Sequence, residues 1–364
     1  MRQGVRQAGQ RLIVGFHGHE ASGDVKRMIR DYGAGTVILF ARNVASPEQV
    51  AELVRELQGV ARDARHELPL FIAVDQEGGR VARMRAPWTE WPPMRALGRQ
   101  GSEDVARKVG EALAAELFAC GIRLDFAPVM DVDTNPKNPV IGDRSFGADP
   151  DLVGRLGVAM IDGLQGGGVA ASAKHFPGHG DTDVDSHLDM PSVEHSRSRL
   201  EDVELRPFRR AIEAGVATVM TGHVLVRALD EELPGTLSPR VVGGLLRGEL
   251  GYKGVIVSDD LEMKAVAGRW PRGEAAALAA RAGCDLLSVC ASHDRQVEAL
   301  EAIVKALETE AISWSDMDDA CLRIRRLKEK YLVPWQDPDP RAARAAAGAG
   351  ERQALAREVA EYSA

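Results

Sequence analysis

Eight short apolar runs, alternating with amphipathic segments along most of the chain, predict an α/β protein: a single (β/α)₈ barrel of the TIM type with extra helices towards its C-terminus. The runs are almost continuously apolar, as strands covered on both faces must be. Polar residues gather where the runs stop, and that is the rim on which such a barrel carries its chemistry. A doubly wound open sheet, the competing architecture, calls for Gly-x-Gly-x-x-Gly after its first strand. The residues after Phe16 are His17-Gly18-His19-Glu20, so that turn is missing.

In chain order the strands are expected at Leu12–Phe16, Thr36–Phe40, Leu70–Asp75, Arg123–Val129, Ala171–Phe176, Thr218–Val224, Gly254–Asp260 and Cys284–Val289. Helical periodicity falls between them at Pro47–Arg65, Glu103–Cys120, Leu152–Leu164, Leu200–Ala214, Pro239–Leu250 and Gly273–Ala282. Ser46 before Pro47 and Ser238 before Pro239 supply a capping hydroxyl and a proline at the first helical position, where its missing N–H is harmless. Gly121, Gly215, Gly251 and Gly283 mark helix ends. His293–Ile312 closes the barrel and Ser315–Leu332 is an additional helix. Residues 1–332 form the catalytic barrel. Residues 333–364 form a Pro-, Ala- and Arg-rich tail, partly helical or disordered, with a weak helical pattern near Glu351–Glu361.

The bulk properties exclude several classes. A net charge of −8 argues against a nucleic-acid partner. No apolar run approaches the ~18 residues of a membrane span, and Met1–Arg11 lacks the apolar stretch of a secretory signal. Cys120, Cys284, Cys290 and Cys321 show no close pairing pattern and read as buried free thiols. The expectation is a cytoplasmic monomer without membrane association.

One segment dominates the chemistry. Lys174-His175-Phe176-Pro177-Gly178-His179-Gly180-Asp181-Thr182-Asp183-Val184-Asp185-Ser186-His187 packs seven titratable side chains into fourteen residues directly after a strand. Charges at that density must be solvated or paired, so the segment reads as part of an active site rather than as a plain loop. A calcium loop starting at Asp181 fails, because Ser186 stands where glycine is needed and Ser192 where glutamate is needed. The histidines fit no compact zinc spacing. No metal and no organic cofactor are expected.

Other strand ends add to the same rim: Asp75, Asp131-Val132-Asp133 leading to Gly142–Gly147, Thr221-Gly222-His223, and Ser258-Asp259-Asp260. Carboxylates with charged donors suit a sugar, with Asp75 accepting hydroxyls and Arg83, Arg144 and Lys174 donating to them. Asp259 ends an apolar strand and is a candidate nucleophile if cations keep it ionised, while Asp260 suits a helix cap better. Glycosidic cleavage also needs an acid. His187 has Asp185 two residues before it, on the same side of an extended loop, where the carboxylate fixes the tautomer and raises the imidazole pKa. An ordinary loop histidine with an acidic neighbour fits those residues equally well, and Glu77 and Glu262 are the other groups available as acid.

These motifs, with Ile38–Asn43, Asp75-Gln76-Glu77-Gly78-Gly79-Arg80 and Met220-Thr221-Gly222-His223, run in the order found in the β-N-acetylglucosaminidases of glycoside hydrolase family 3, the group active in bacterial peptidoglycan recycling, and the chain resembles them over roughly residues 11 to 330. The resemblance implies a retaining exo-hydrolase acting on N-acetylglucosamine-terminated glycans or muropeptides. It implies Asp259 as nucleophile, His187 with Asp185 as acid/base dyad on a mobile loop, and Asp75, Arg83, Arg144, Lys174 and His175 around the terminal sugar. A glycoside phosphorylase, a β-glucosidase and a catalytically silent sugar-binding barrel are the alternatives.

Overall fold

The computed structural model describes residues 2–186, 189–270 and 273–363. Eight parallel strands form one sheet: β1 (Leu12–Val14), β2 (Thr36–Leu39), β3 (Phe71–Val74), β4 (Leu124–Asp125), β5 (Ala170–Phe176), β6 (Thr218–Thr221), β7 (Val255–Ser258) and β8 (Leu287–Val289). Each neighbours the next in sequence, and β8 returns to pair with β1. A single parallel bridge, Val257↔Leu286, joins β7 to β8 and closes the barrel. All eight expected strands are present.

β4 is shorter than expected. Pro128 has no N–H to give to a ladder, so regular pairing stops before it and resumes as the isolated bridge Val129↔Lys174. The β7–β8 seam combines backbone bonds, such as Ser258 N to Leu286 O at 2.9 Å and Leu286 N to Ile256 O at 3.0 Å, with side-chain ones. Ser288 N donates to Ser258 Oγ at 2.9 Å and Ser288 Oγ to Ser258 O at 2.9 Å. Asp285, fully buried, accepts from Ile256 N at 2.8 Å and pairs with Arg323 at 2.9 Å and with Arg247.

Alternation along the strands sorts the core. Ile13, Ile38, Phe71, Ala73, Leu124, Val255 and Val257 fill the barrel interior. Their neighbours Leu12, Val14, Val37, Leu39, Ile72 and Val74 face the surrounding helices. The helix expected over Leu200–Ala214 is two, Arg197–Asp202 and Leu205–Glu213. A restart at Leu205 puts Pro207 in a first turn, where its missing N–H breaks no bond. Helices at Arg2–Gln10 and Gly23–Arg30 add to those expected. In the tail, Pro340–Ala346 and Gly350–Ala360 are helical and lie on the helices Pro47–Asp63 and Glu103–Ala119. They bury Ala343, Ala347, Ala356 and Val359. Among the described residues no helix is long and apolar enough to cross a membrane. Cys120, Cys284 and Cys290 are buried, Cys321 partly so, and all four are free thiols.

Candidate active site

A cavity of about 330 Å³ opens at the C-terminal ends of the strands. It brings together Asp75, Arg83, Arg144, Lys174, His175 and Asp259 from four different segments. Asp185 is partly buried on the loop after β5, and its neighbour Ser186 lines the cavity. His187 lies outside the described residues.

Asp75 follows β3, and the next residues form a hairpin between Gln76–Gly78 and Val81–Ala82. Gln76 locks this hairpin, since its Oε1 accepts from Arg83 N at 2.8 Å and Met84 N at 3.0 Å. The turn needs glycine at 78: φ is +101°, and a Cβ would sit 3.0 Å from Pro92 O. The hairpin thereby returns Arg83 to Asp75, Nη2 to Oδ2 at 3.1 Å.

A charge network lies beneath. Lys174 Nζ meets Asp75 Oδ1 at 3.0 Å and Glu77 Oε1 at 2.6 Å. Arg144 grips Glu77 with two bonds of 2.8 Å each. Lys174 and Glu77 are both 2% exposed, so neither charge is shared with bulk water. Burial pushes the Glu77 carboxyl up, but Arg144 and Lys174 outweigh it and hold the group well below the carboxylate range. Burial lowers Lys174, and Glu77 and Asp75 more than restore it. Glu77 therefore has neither proton nor freedom to serve as an acid. Glu262 is no better placed, because its oxygens accept from Ala291 N at 2.6 Å and Ser292 N at 3.2 Å in the loop after β8.

His175 points Nδ1 at Asp131 Oδ2, 2.7 Å away, which leaves Nε2 at 3.5 Å from Arg144 Nη2. Asp131 is fully buried and also accepts from His179 N at 2.7 Å. Burial pushes His179 down to about 4, so its ring is neutral. Thr182 donates its hydroxyl to His179 O at 3.0 Å and therefore accepts from Nδ1–H at 2.7 Å. Nε2 is left as acceptor for Ser186 Oγ at 3.2 Å. This neutral histidine ties the loop down at Thr182 and Ser186, and Ser186 O also accepts from Ala265 N at 3.2 Å.

Asp259 leaves β7 with its N–H bonded to Thr221 O at 3.2 Å, and its Oδ1 accepts from Asp260 N at 2.8 Å. Burial raises this carboxyl, but His223, His175, the Asp260 N–H and Lys174 together bring it below its ordinary value. No lysine or arginine among the described residues forms an ion pair with it, unlike Asp75 and Glu77. Asp260 takes the turn-making role, accepting from Glu262 N at 3.1 Å. Burial, reinforced by Glu262 and Asp259, pushes Asp260 up to about 7. A carboxyl raised in the fold stabilises below its unfolded pKa of ~3.9 and loses that contribution as pH climbs through 7. Asp260→Asn should therefore narrow the gap in Tm between about pH 5 and about pH 8, read by calorimetry.

Sequence reading placed Asp131, His179 and His223 in rim motifs without giving them a role, and named Glu77 only as an alternative acid. In an extended segment Glu77 shares a side with Asp75, which puts it at the rim but does not place it between Lys174 and Arg144. The other three lie within the quoted motifs, but their partners come from distant elements. Among the described residues no three His, Cys, Asp or Glu side chains are grouped to hold a metal ion. Of the donors expected to face a sugar, Arg144 is the most directly testable. Arg144→Ala should weaken a terminal N-acetylglucosamine analogue by about 1–3 kcal/mol in calorimetry, the scale of a lost charged hydrogen bond.

Comparison with known proteins matches this geometry to a family. The model of the glycosyl hydrolase family 3 N-terminal domain covers residues 5–327. A beta-hexosaminidase from Alkalilimnicola ehrlichii is 40% identical over 337 residues, 90% of this chain and 93% of that protein. Beta-hexosaminidase A from Pseudoalteromonas piscicida is 37% identical over 330 residues, 84% of this chain, and the chain spans only 55% of that relative. The structure of a glycoside hydrolase family 3 beta-N-acetylglucosaminidase from Paenibacillus sp. str. FPU-7 superposes with a TM-score of 0.91 at 43% identity, covering 99% of this chain and 68% of that one.

Proposed function

The chain belongs to glycosyl hydrolase family 3, and from that premise we propose that it is a retaining exo-β-N-acetylhexosaminidase. It removes a terminal, non-reducing N-acetylglucosamine from β-linked glycans such as peptidoglycan fragments. Asp75, Arg83, Arg144, Lys174 and His175 hold that sugar, with the carboxylate oxygens of Asp75 accepting its hydroxyls. Asp259 attacks the anomeric carbon and forms a glycosyl ester. His187, oriented by Asp185, protonates the leaving oxygen and then takes a proton from the incoming water.

The observation that carries this reading is the contrast among the carboxylates of the cavity. Asp75 and Glu77 are engaged by buried cations, whereas Asp259 is held ionised without a lysine or arginine ion pair. It is the carboxylate left with an oxygen for attack. Glu77 and Glu262 are both committed elsewhere and Asp260 shares the strand end with the nucleophile, which favours the loop carrying Asp185 as the source of the acid.

The test is an assay on nitrophenyl glycosides of N-acetylglucosamine and of glucose, with and without phosphate. Turnover of the first, independent of phosphate, is expected. Faster turnover of the glucoside, or a glycosyl phosphate product, overturns the substrate or the acceptor. For the acid, a good leaving group departs without a proton. His187→Ala should thus lose far more activity on a natural disaccharide than on an aryl glycoside with an acidic phenol. Asp185→Ala should lose the same selectively, with the double variant little worse. Equal slowing of both substrates assigns His187 to binding instead.

A further inference from the structure

A second and larger cavity, about 420 Å³, lies at the opposite end of the barrel. Gln10, Gly33 and Leu68, which line it, come just before β1, β2 and β3, so it sits under the N-terminal ends of the strands. Nothing in the proposed hydrolysis uses it.

Its wall contains an unusual group. Lys328, on the helix Trp314–Leu332, is 1% exposed and lines the cavity. Its Nζ donates to Gln10 Oε1 at 3.1 Å, and among the described residues that neutral amide is its one hydrogen-bond partner. No carboxylate there comes within ion-pair distance. A buried ammonium is normally paired, because an uncompensated charge away from water is costly. Gln10 offers one acceptor to a group with three donors.

The rest of the lining explains why the charge is uncompensated from inside. Two carboxylates border the cavity, and both are engaged: Asp318 accepts from Gln7 Nε2 at 2.6 Å, and Glu67 pairs with Arg325 at 2.8 Å. Arg6 and Arg65 add further positive charge at the rim. Gln10 cannot turn to offer more, since its Nε2 donates to Gly33 O at 2.7 Å. Burial disfavours a charged His66, whose Nε2 donates to Ile29 O at 2.9 Å. One acceptor is left over as well: Gln7 Oε1 is buried with no partner among the described residues.

We propose that this cavity binds a small organic anion, one that offers carboxylate or phosphate oxygens to Lys328 and an O–H to Gln7. Such a ligand supplies the missing counter-charge, draws on Arg65 at the mouth, and satisfies the orphaned amide oxygen. Its apolar part meets Leu68, Leu322 and Ile324. Without the anion, burial pushes Lys328 down to about 7; a bound anion favours the ammonium, so binding is accompanied by proton uptake.

Calorimetric titration of the full chain with inorganic phosphate, acetate and lactate tests this. Saturable binding of phosphate or lactate with Kd on the order of 1 mM is expected. Tighter lactate than acetate marks the hydroxyl bond to Gln7, and preference for phosphate over both carboxylates identifies the headgroup. Lys328→Met keeps the side-chain length without the charge and should weaken binding at least tenfold, with glycosidase activity unchanged. Arg65→Glu, on an exposed side chain, should weaken it similarly and serves if Lys328→Met does not fold. Absence of saturable binding for all three anions, or affinity unchanged in the folded variants, overturns the proposal.

Discussion

Asp259→Ala is expected to lose turnover on the order of 10⁴-fold or more, the scale seen when a covalent nucleophile is removed, while the protein stays folded. The reason for the second half is structural. Asp259 is tied to β6 through its backbone N–H, not through its carboxylate, and among the described residues the one bond its side chain accepts comes from the adjacent Asp260 N. Removing the carboxylate takes a charge out of a partly closed cavity without stranding a buried cation. A 2-deoxy-2-fluoro substrate with a good leaving group should label Asp259 in the wild type, readable by peptide mass spectrometry. Labelling at Asp260, or substantial turnover by the alanine variant, would remove Asp259 from the role.

Glu77 should behave in the opposite way. Its carboxylate lies between Lys174 and Arg144; Glu77 and Lys174 are buried, and the Arg144 side chain is only 10% exposed. Glu77→Gln keeps the shape and deletes the charge, leaving Arg144 without its carboxylate and the buried Lys174 with Asp75 alone. Breaking a buried pair by removing one partner costs about 3–5 kcal/mol, so the denaturant midpoint should fall by that equivalent. Sugar affinity should fall with it, because Lys174 and Arg144 lose the group that aims them. The acid limb of stability should also change. A carboxyl held well below its unfolded pKa of ~4.3 contributes above that value and loses the contribution as pH falls towards the folded one. The wild type should therefore lose stability below about pH 4 more steeply than the glutamine variant. A cost under about 1 kcal/mol would mean that the network is worth no more than exposed ion pairs.

The two residues also show what a sequence discloses. Asp259 was legible because it ends an apolar strand, and strand ends in a barrel share one rim whatever the loops do. Arg83, Arg144 and Lys174 were legible as charges near such ends. The hub that organises them was not, because Glu77 acquires its meaning only when the hairpin after β3, the loop after β4 and the end of β5 converge on it. The fold shows the same division. All eight strands followed from apolar runs, yet the helices Arg2–Gln10 and Gly23–Arg30 were not anticipated. Both are short and largely polar, and the second is announced mainly by Ser22, whose side chain accepts from Val25 N. Packing against neighbours, more than intrinsic preference, stabilises helices of that length.

At the seam between β7 and β8 side chains replace part of a ladder. β6 and β7 pair over four residues from Thr218↔Val255 to Thr221↔Ser258. β7 and β8 share the bridge Val257↔Leu286 and backbone bonds from Ser258 N to Leu286 O and from Asp285 N and Leu286 N to Ile256 O. The Ser258 and Ser288 hydroxyls and the Asp285 carboxylate complete the join. Closure of the ring therefore depends on the identity of three side chains as well as on main-chain register, and the strand end that carries Asp259 is anchored by groups that a single substitution can remove.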